Sequence, residues 1–314
     1  MELPNKVRDD YFNTLTQDPP RQHMGVSEIG HPCRRKLWLG FRWAVVETFP
    51  KRILALFRRG QIEEVIVVET LRKAGYVVTE ALEEQKYIDL GCHVGGSPDG
   101  VISGVTAKDH ILEIKTHSKK SFDDYMKKGV KESKPLHYTQ MQGYMLGRGL
   151  ERALYCPVCK DDDRFEPERV RLDKDFAERA IKRAQDIVLS DRLPEPMQTD
   201  PEWYECKFCP SHDFCFGDKK PLINCRTCAH STTMLDGTWF CERWEATIPV
   251  DAQREGCRSH VIHPDLLKDV KIEEVDEWNV KYNGILVGES GVSSAEYLDF
   301  GAEAIANMFG GYVK

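Results

Sequence analysis

The sequence predicts an α/β core, a central mixed sheet flanked by helices, on three observations. A long amphipathic run comes before a series of short strand-like runs. A second helix-like run separates the last two strands, and a third amphipathic run closes the series. The order helix, strands, helix, strand, helix suits a sheet covered by helices. At 314 residues, with 41% apolar and 30% charged side chains, the chain can bury a large core and carry an appendage.

The first element, residues 51–74, has the periodicity of a helix and ends at Gly75, a residue suited to a C-cap. Phe57, Val68 and Leu71 lie at helical spacings from Glu64, which puts Glu64 on the apolar stripe while Glu63 points elsewhere. A carboxylate on a buried stripe needs a partner, and a metal is one way to supply it. The runs YVVTE and QKYIDL then read as strands, and GCHVGGSPDGVI as a glycine-rich hairpin. ILEIKTH alternates with period two, so Ile111, Glu113 and Lys115 share one face and Leu112, Ile114 and Thr116 the other. Residues 136–149 suit a helix, ERALYCPVCK the strand after it, and residues 173–190 a further amphipathic helix closed by LPEP.

The net charge of −7 is unevenly spread. Residues 31–60 carry eight basic side chains (Arg34, Arg35, Lys36, Arg42, Lys51, Arg52, Arg58 and Arg59) against the single acid Glu47. Residues 115–134 carry seven lysines against three acids, and residues 261–314 ten acids against four bases. Local basic runs of this kind attract phosphate whatever the overall charge, although a solvated face gives the same pattern. The N-terminus has no apolar signal-like segment and no window approaches a membrane span, so a cytoplasmic protein without a membrane partner is expected. Eleven cysteines in odd number and clustered spacing favour metal ligation over disulfides.

The chemistry gathers on Glu64, Asp99, Glu113 and Lys115, followed by Gln140 and Tyr144. Phosphodiester cleavage needs a hard divalent cation on oxygen ligands, a positioned water and positive charge at the phosphate. Asp99 in a turn and Glu113 on the next strand can hold the metal. Lys115, two residues on, shares the face of Glu113 and can orient or deprotonate the water. Any one of these motifs is commonplace, and their order carries the weight. Glu64 after Gly60, GSPDG at 96–100, EIK at 113–115 and QMQGY at 140–144 resemble the ordered motifs of the RecB-like PD-(D/E)XK nucleases. The resemblance covers about residues 25–217. It implies a restriction-endonuclease-like core and Mg²⁺ or Mn²⁺ on Glu64, Asp99, Glu113 and the carbonyl of Ile114. It further implies that Lys115 serves the water and that Gln140 and Tyr144 position the DNA. Many relatives have His where this chain has Glu64, and both occur.

Cys206, Cys209 and Cys215 form a C-x2-C-x5-C run, and Cys33 lies far upstream. Three clustered cysteines and one distant one resemble the 4Fe-4S staple of the CRISPR-associated RecB-like nucleases and the AddB-type repair nucleases. Thiolates suit zinc as well as iron–sulfur; the resemblance implies a structural cluster. Cys225, Cys228, Cys241 and Cys257 resemble a small zinc knuckle, with His230 and His260 as alternative ligands. Cys92, Cys156 and Cys159 read as structural, with Lys160 as a candidate phosphate contact.

The expected organisation is a nuclease core at 1–217 closed by the cluster, a zinc-knuckle segment at 218–262 and an acidic extension at 263–314. The resemblance, which extends to phage-encoded recombination exonucleases, implies an exonuclease on single strands or DNA ends. Its expected partners are DNA and a single-strand annealing or recombination protein. Arg34 and Arg35, within the basic segment 34–59, would hold the strand backbone. Trp38, Phe41 and Trp43 would stack on bases or pack a helix. Two rival readings are a non-catalytic DNA-binding or adaptor protein on the same fold and an iron–sulfur redox protein.

Overall fold

The computed structural model describes residues 2–308, with side chains over residues 4–301. The chain divides into two compact units that interleave in sequence. The first comprises residues 1–31 and 48–185, the second residues 32–47 and 186–314.

The first unit begins with α1 (Glu2–Asn13) and the short strand β1 (Met24–Gly25). Helix α2 (Arg34–Phe41) belongs to the second unit. Helix α3 (Lys51–Lys73) ends as its periodicity predicts, with Gly75 at φ +94° just beyond Ala74. The strands β2 (Val77–Thr79), β3 (Ile88–Asp89), β4 (Val94–Gly96), β5 (Gly100–Ser103) and β6 (His110–His117) follow. Then come α4 (Lys119–Ser133), α5 (Pro135–Arg148), β7 (Arg152–Cys159), β8 (Glu168–Arg171) and α6 (Lys174–Leu189).

The central sheet has the order β2-β5-β6-β7-β8. Only β6 and β7 pair in parallel, so the sheet is mixed. A parallel pair needs a crossover, and α4 and α5 supply it. The pleat divides β6 as its alternation predicts. Leu112 and Ile114 enter a core with Val67, Val68 and Leu71 of α3 and with Leu154, Cys156 and Val158 of β7. Glu113, Lys115 and His117 face the α4–α5 side.

The structure corrects two sequence expectations and assigns one stretch that had none. GCHVGGSPDGVI is not one hairpin: β4 pairs with β3 and, in parallel, with β1, while β5 joins the central sheet. A left-handed turn at Gly91, Cys92 and His93, all with positive φ, makes the β3–β4 reversal. Phe57 does not share the buried stripe; it is exposed and meets Phe49 edge-on. The lysine-rich run 119–133 is a helix, broken at Gly129 (φ +71°), where the Glu168 carboxylate accepts from Val130 N–H.

The second unit carries α7 (Tyr204–Lys207), α8 (His212–Phe216) and a three-stranded sheet of β9 (Ser231–Thr233), β10 (Trp239–Cys241) and β11 (Ala246–Thr247). After α9 (Val250–Gln253), a second small sheet joins β12 (Ile272–Glu274), β13 (Val280–Tyr282) and β14 (Ile285–Val287), followed by α10 (Ser294–Met308). Of the acidic extension, residues 309–314 lie outside the described residues.

Trp38, Phe41 and Trp43 are buried in this unit, which decides their role as packing. Arg42 is buried too and donates to the carbonyls of Arg226 and Ser190, so it is not a backbone-holding residue of the basic segment. Arg226 lies 3.6 Å over the Trp43 ring and donates to Gln253 and to Phe41 O. Burial lowers Arg42 to about 10, against the pull of Asp191 and Asp265, and lowers Arg226 to about 9. Among the described residues no helix is long and apolar enough to cross a membrane.

Candidate active site

Three elements of the first unit, α3, the turn before β5 and α5, meet the middle of β6. Glu113 is completely buried, and its carboxylate meets the Lys115 ammonium; among the described residues neither carboxylate oxygen has another hydrogen-bond partner. Lys115 Nζ also lies 4.0 Å from Asp99 Oδ2. Asp99 comes from the turn before β5, and its Oδ2 accepts from Ile114 N–H at 2.6 Å. That bond pins the turn to the middle of β6 between Glu113 and Lys115. Glu64 of α3 accepts from Gln85 Nε2 at 2.7 Å.

Crowded carboxylates raise one another. Burial lifts Glu64 to about 7, and the Asp99 charge adds to this against Lys115 and Gln85. Burial likewise pushes Glu113 up, against the pull of the Lys115 ammonium. Burial alone would lower Lys115, but Glu113 and Asp99 beside it hold it above the usual lysine range. Glu64, Asp99 and Glu113 bear on one another at an electrostatic cost that a divalent cation would relieve.

Helix α5 contributes Gln140 and Tyr144, one helical turn apart and both buried, and burial pushes the Tyr144 hydroxyl well above the usual tyrosine range. A Cβ on Gly96 would lie 2.9 Å from the Tyr144 hydroxyl, so the first glycine of GSPDG is the space into which Tyr144 reaches. Gln142 of the same motif works elsewhere, donating to Arg171 O and accepting from Asp173 N.

Sequence inspection missed a polar chain beside this site. His117 donates to or accepts from Ser121 Oγ at 3.0 Å and the Tyr155 hydroxyl at 2.7 Å; His137 Nδ1 meets the same hydroxyl at 2.9 Å. Burial, with Lys134, Lys115 and Lys160, lowers His117 to about 4; burial, with Lys115, lowers His137 to about 3. His117 keeps period two with Lys115, and Tyr155 stands opposite Glu113 in the register. The first relation was legible; the second needed the strand pairing.

The remaining candidates lie in the second unit. Arg34 is exposed, whereas Arg35 donates to Pro194 O, and its charge works against the rise that burial gives the Cys215 thiol. Cys33 caps α2, accepting from Lys36 N–H, and Cys209 accepts from Ser211 N–H. Burial raises Cys206, Cys209 and Cys215, and Cys33 adds to the rise in all three. Distant Cys33 is therefore near the C-x2-C-x5-C run.

Cys225, Cys228, Cys241 and Cys257 line one pocket together with His230 and His260. Burial raises Cys225 to about 11 and Cys228 to about 12, with Cys257 contributing to both. Backbone N–H groups of His230 and Val261 point at the Cys228 sulfur. The histidines are engaged elsewhere, His230 with Trp278 O and His260 with Asn224 O and Ser294. Among the described residues, no three His, Cys, Asp or Glu side chains are already disposed to hold a metal ion.

No family model and no curated protein matches the sequence. Among solved structures, the chain is similar to the alkaline exonuclease LHK-Exo from Laribacter hongkongensis, at 18% identity over 57% of this chain and 90% of that one, with a TM-score of 0.41. LHK-Exo in complex with dAMP matches at 17% identity over 58% and 90%, TM-score 0.41. A protein designated SSO0001 matches at 17% identity over 69% and 97%, TM-score 0.40. Likenesses this low have no bearing on the chemistry of the site.

Proposed function

We propose that the protein is a metal-dependent DNA nuclease that hydrolyses phosphodiester bonds from single strands or ends. The observation that carries this reading is the convergence of Glu64, Asp99, Glu113 and Lys115. They come from a helix, a turn and a strand, in the motif order the sequence led us to expect.

The donor set fits a hard divalent cation. All the side-chain donors are carboxylate oxygens, and those of Glu113 are buried against Lys115 with no other hydrogen-bond partner among the described residues. Glu64, Asp99 and Glu113, with the Ile114 carbonyl, would hold Mg²⁺ or Mn²⁺. Such a cation, when bound, polarises the phosphate and makes water a better nucleophile at neutral pH. Lys115 holds and orients the attacking water beside Glu113. Gln140 and Tyr144 support that face of β6 and set where the strand lies. The Ile114 N–H bond to Asp99 keeps the turn from drifting when the strand binds.

The two cysteine sets fit soft-metal ligation by donor chemistry and by the N–H groups directed at sulfur. A 4Fe-4S cluster on Cys33, Cys206, Cys209 and Cys215 would staple the second unit. Zinc on Cys225, Cys228, Cys241 and Cys257 would order its small sheets, with both histidines otherwise committed.

The test is cleavage of end-labelled linear and circular DNA, single- and double-stranded, by the anaerobically purified chain with Mg²⁺, Mn²⁺ or EDTA. Metal-dependent cleavage that Lys115→Ala abolishes is the expected result. A folded chain that cuts none of these substrates would sink the reading.

A further inference from the structure

The stretch between β2 and β3 reaches the carboxylate site with a side chain outside the four motifs. Gln85 Nε2 donates to Glu64 Oε1 at 2.7 Å, and among the described residues this is the one hydrogen bond that the Glu64 carboxylate makes. An ionised carboxylate only accepts, so the amide turns its NH₂ group towards Glu64. The bond runs from a loop to the middle of α3 and occupies one oxygen of the two.

Gln85 is not what holds this loop in place. The Glu80 carboxylate accepts from Lys86 Nζ at 3.0 Å and, through both oxygens, from the Arg148 guanidinium at the end of α5. Ala81 is buried against the turn that carries Asp99, and a Cβ on Gly100 would lie 3.0 Å from the Cβ of Ala81. Leu82 opens a single 3₁₀ turn (Leu82–Glu84) and packs on the cluster that includes Val67, Val68 and Leu71 of α3. The loop is thus fixed from three directions without the Gln85 amide, which is left to serve Glu64. A ligating carboxylate is aimed by such an outer hydrogen bond; without one, the ion itself must order the side chain on binding.

We infer that Gln85 is a positioning residue for the metal site, holding Oε1 of Glu64 so that Oε2 is kept for a divalent cation. The inference rests on the metal-dependent reading of the site. With the amide removed, no second hydrogen bond among the described residues keeps Glu64 in this orientation. The influence of Gln85 on the ion therefore passes through Glu64 alone.

The experiment measures Mn²⁺ binding to the anaerobically purified full chain by the paramagnetic resonance of the free ion, with Tm recorded alongside. Gln85→Met keeps the length of the side chain and removes the donor. It is expected to weaken Mn²⁺ binding about tenfold or more while Tm stays as in wild type. In a Glu64→Ala background, where Asp99 and Glu113 remain to hold the ion, the same change should have no further effect, since the two residues act as one. Glu84→Gln, at the exposed neighbouring position, should bind Mn²⁺ as wild type does. Wild-type affinity in Gln85→Met would overturn the positioning role and leave the nuclease reading standing. Equal weakening with and without Glu64 would overturn it too, because the loop would then act independently of that carboxylate. So would a Tm well below wild type, which would make Gln85 a support of the loop. The metal reading fails on a different result, Mn²⁺ binding that Asp99→Ala leaves unaltered, and the role of Gln85 falls with it.

Discussion

At the scale of the residue, the site works against its own stability. Glu113 is a carboxylate with no solvent and one cationic neighbour, and Glu64 is lifted to about 7 by burial and by Asp99. Replacing Glu113 with its neutral isostere should therefore separate function from folding. Glu113→Gln is expected to reduce cleavage by about 10²-fold or more while leaving Tm unchanged or raised by a few degrees. A calorimetric Tm well below wild type would show that the Glu113–Lys115 contact is a net structural asset instead. Glu113 and Lys115 were legible in the sequence because period two puts them on one face. That Asp99 is fixed by the Ile114 N–H was not, because a backbone bond across strands leaves no mark on side-chain pattern.

At the scale of the element, α5 is positioned by what it lacks. A Cβ on Gly143 would lie 2.8 Å from Val26, and one on Gly147 2.5 Å from Ile88 and Leu90. Gly143→Ala should cost about 1–3 kcal/mol by overpacking and should lower cleavage by shifting Tyr144; chemical denaturation and the cleavage assay measure both. Unchanged stability would mean that Val26 yields freely.

The His117–Tyr155–His137 chain adds a pH dependence to the same layer. Both imidazoles have folded values, about 4 and about 3, below the ordinary 6.5, so the unfolded chain takes up protons first. Their contribution is fully present above pH 6.5 and is lost as pH falls towards 4. Between pH 7 and 5 stability should fall, and His137→Gln should make that fall shallower by about 2 kcal/mol. An unaltered slope in urea titrations would rule the imidazoles out as its source. Only the period-two placement of His117 was legible in the sequence, since Tyr155 and His137 reach it through sheet pairing and helix crossover.

At the scale of the whole molecule, the cysteines make the sharpest prediction. Cys33 shares its unit with Cys206, Cys209 and Cys215, although the intervening stretch includes the whole carboxylate site. Cys33→Ser is expected to lose the bound iron and the brown colour, and Cys228→Ser to lose zinc while keeping iron. Metal content by mass spectrometry checks both, and iron retained in Cys33→Ser would exclude it as a ligand. The basic segment 34–59 shows the limit of reading charge along a chain. Arg42 is buried among Trp38, Trp239 and backbone carbonyls, and the rest of the segment is divided between the two units.

Local pattern by itself determined the helices at 51–73, 135–148 and 174–189, the faces of β6 and β7, and the four motifs in their order. Those features depend on a periodicity of two or 3.6 residues, which is written in neighbouring side chains. Tertiary structure alone decided that β4 and β5 belong to different sheets, that Trp38 and Trp43 pack in a core, and that Tyr155 joins His117 to His137. These depend on strand register and on the packing of residues far apart in the chain, where burial and charge are set by whatever the fold brings alongside.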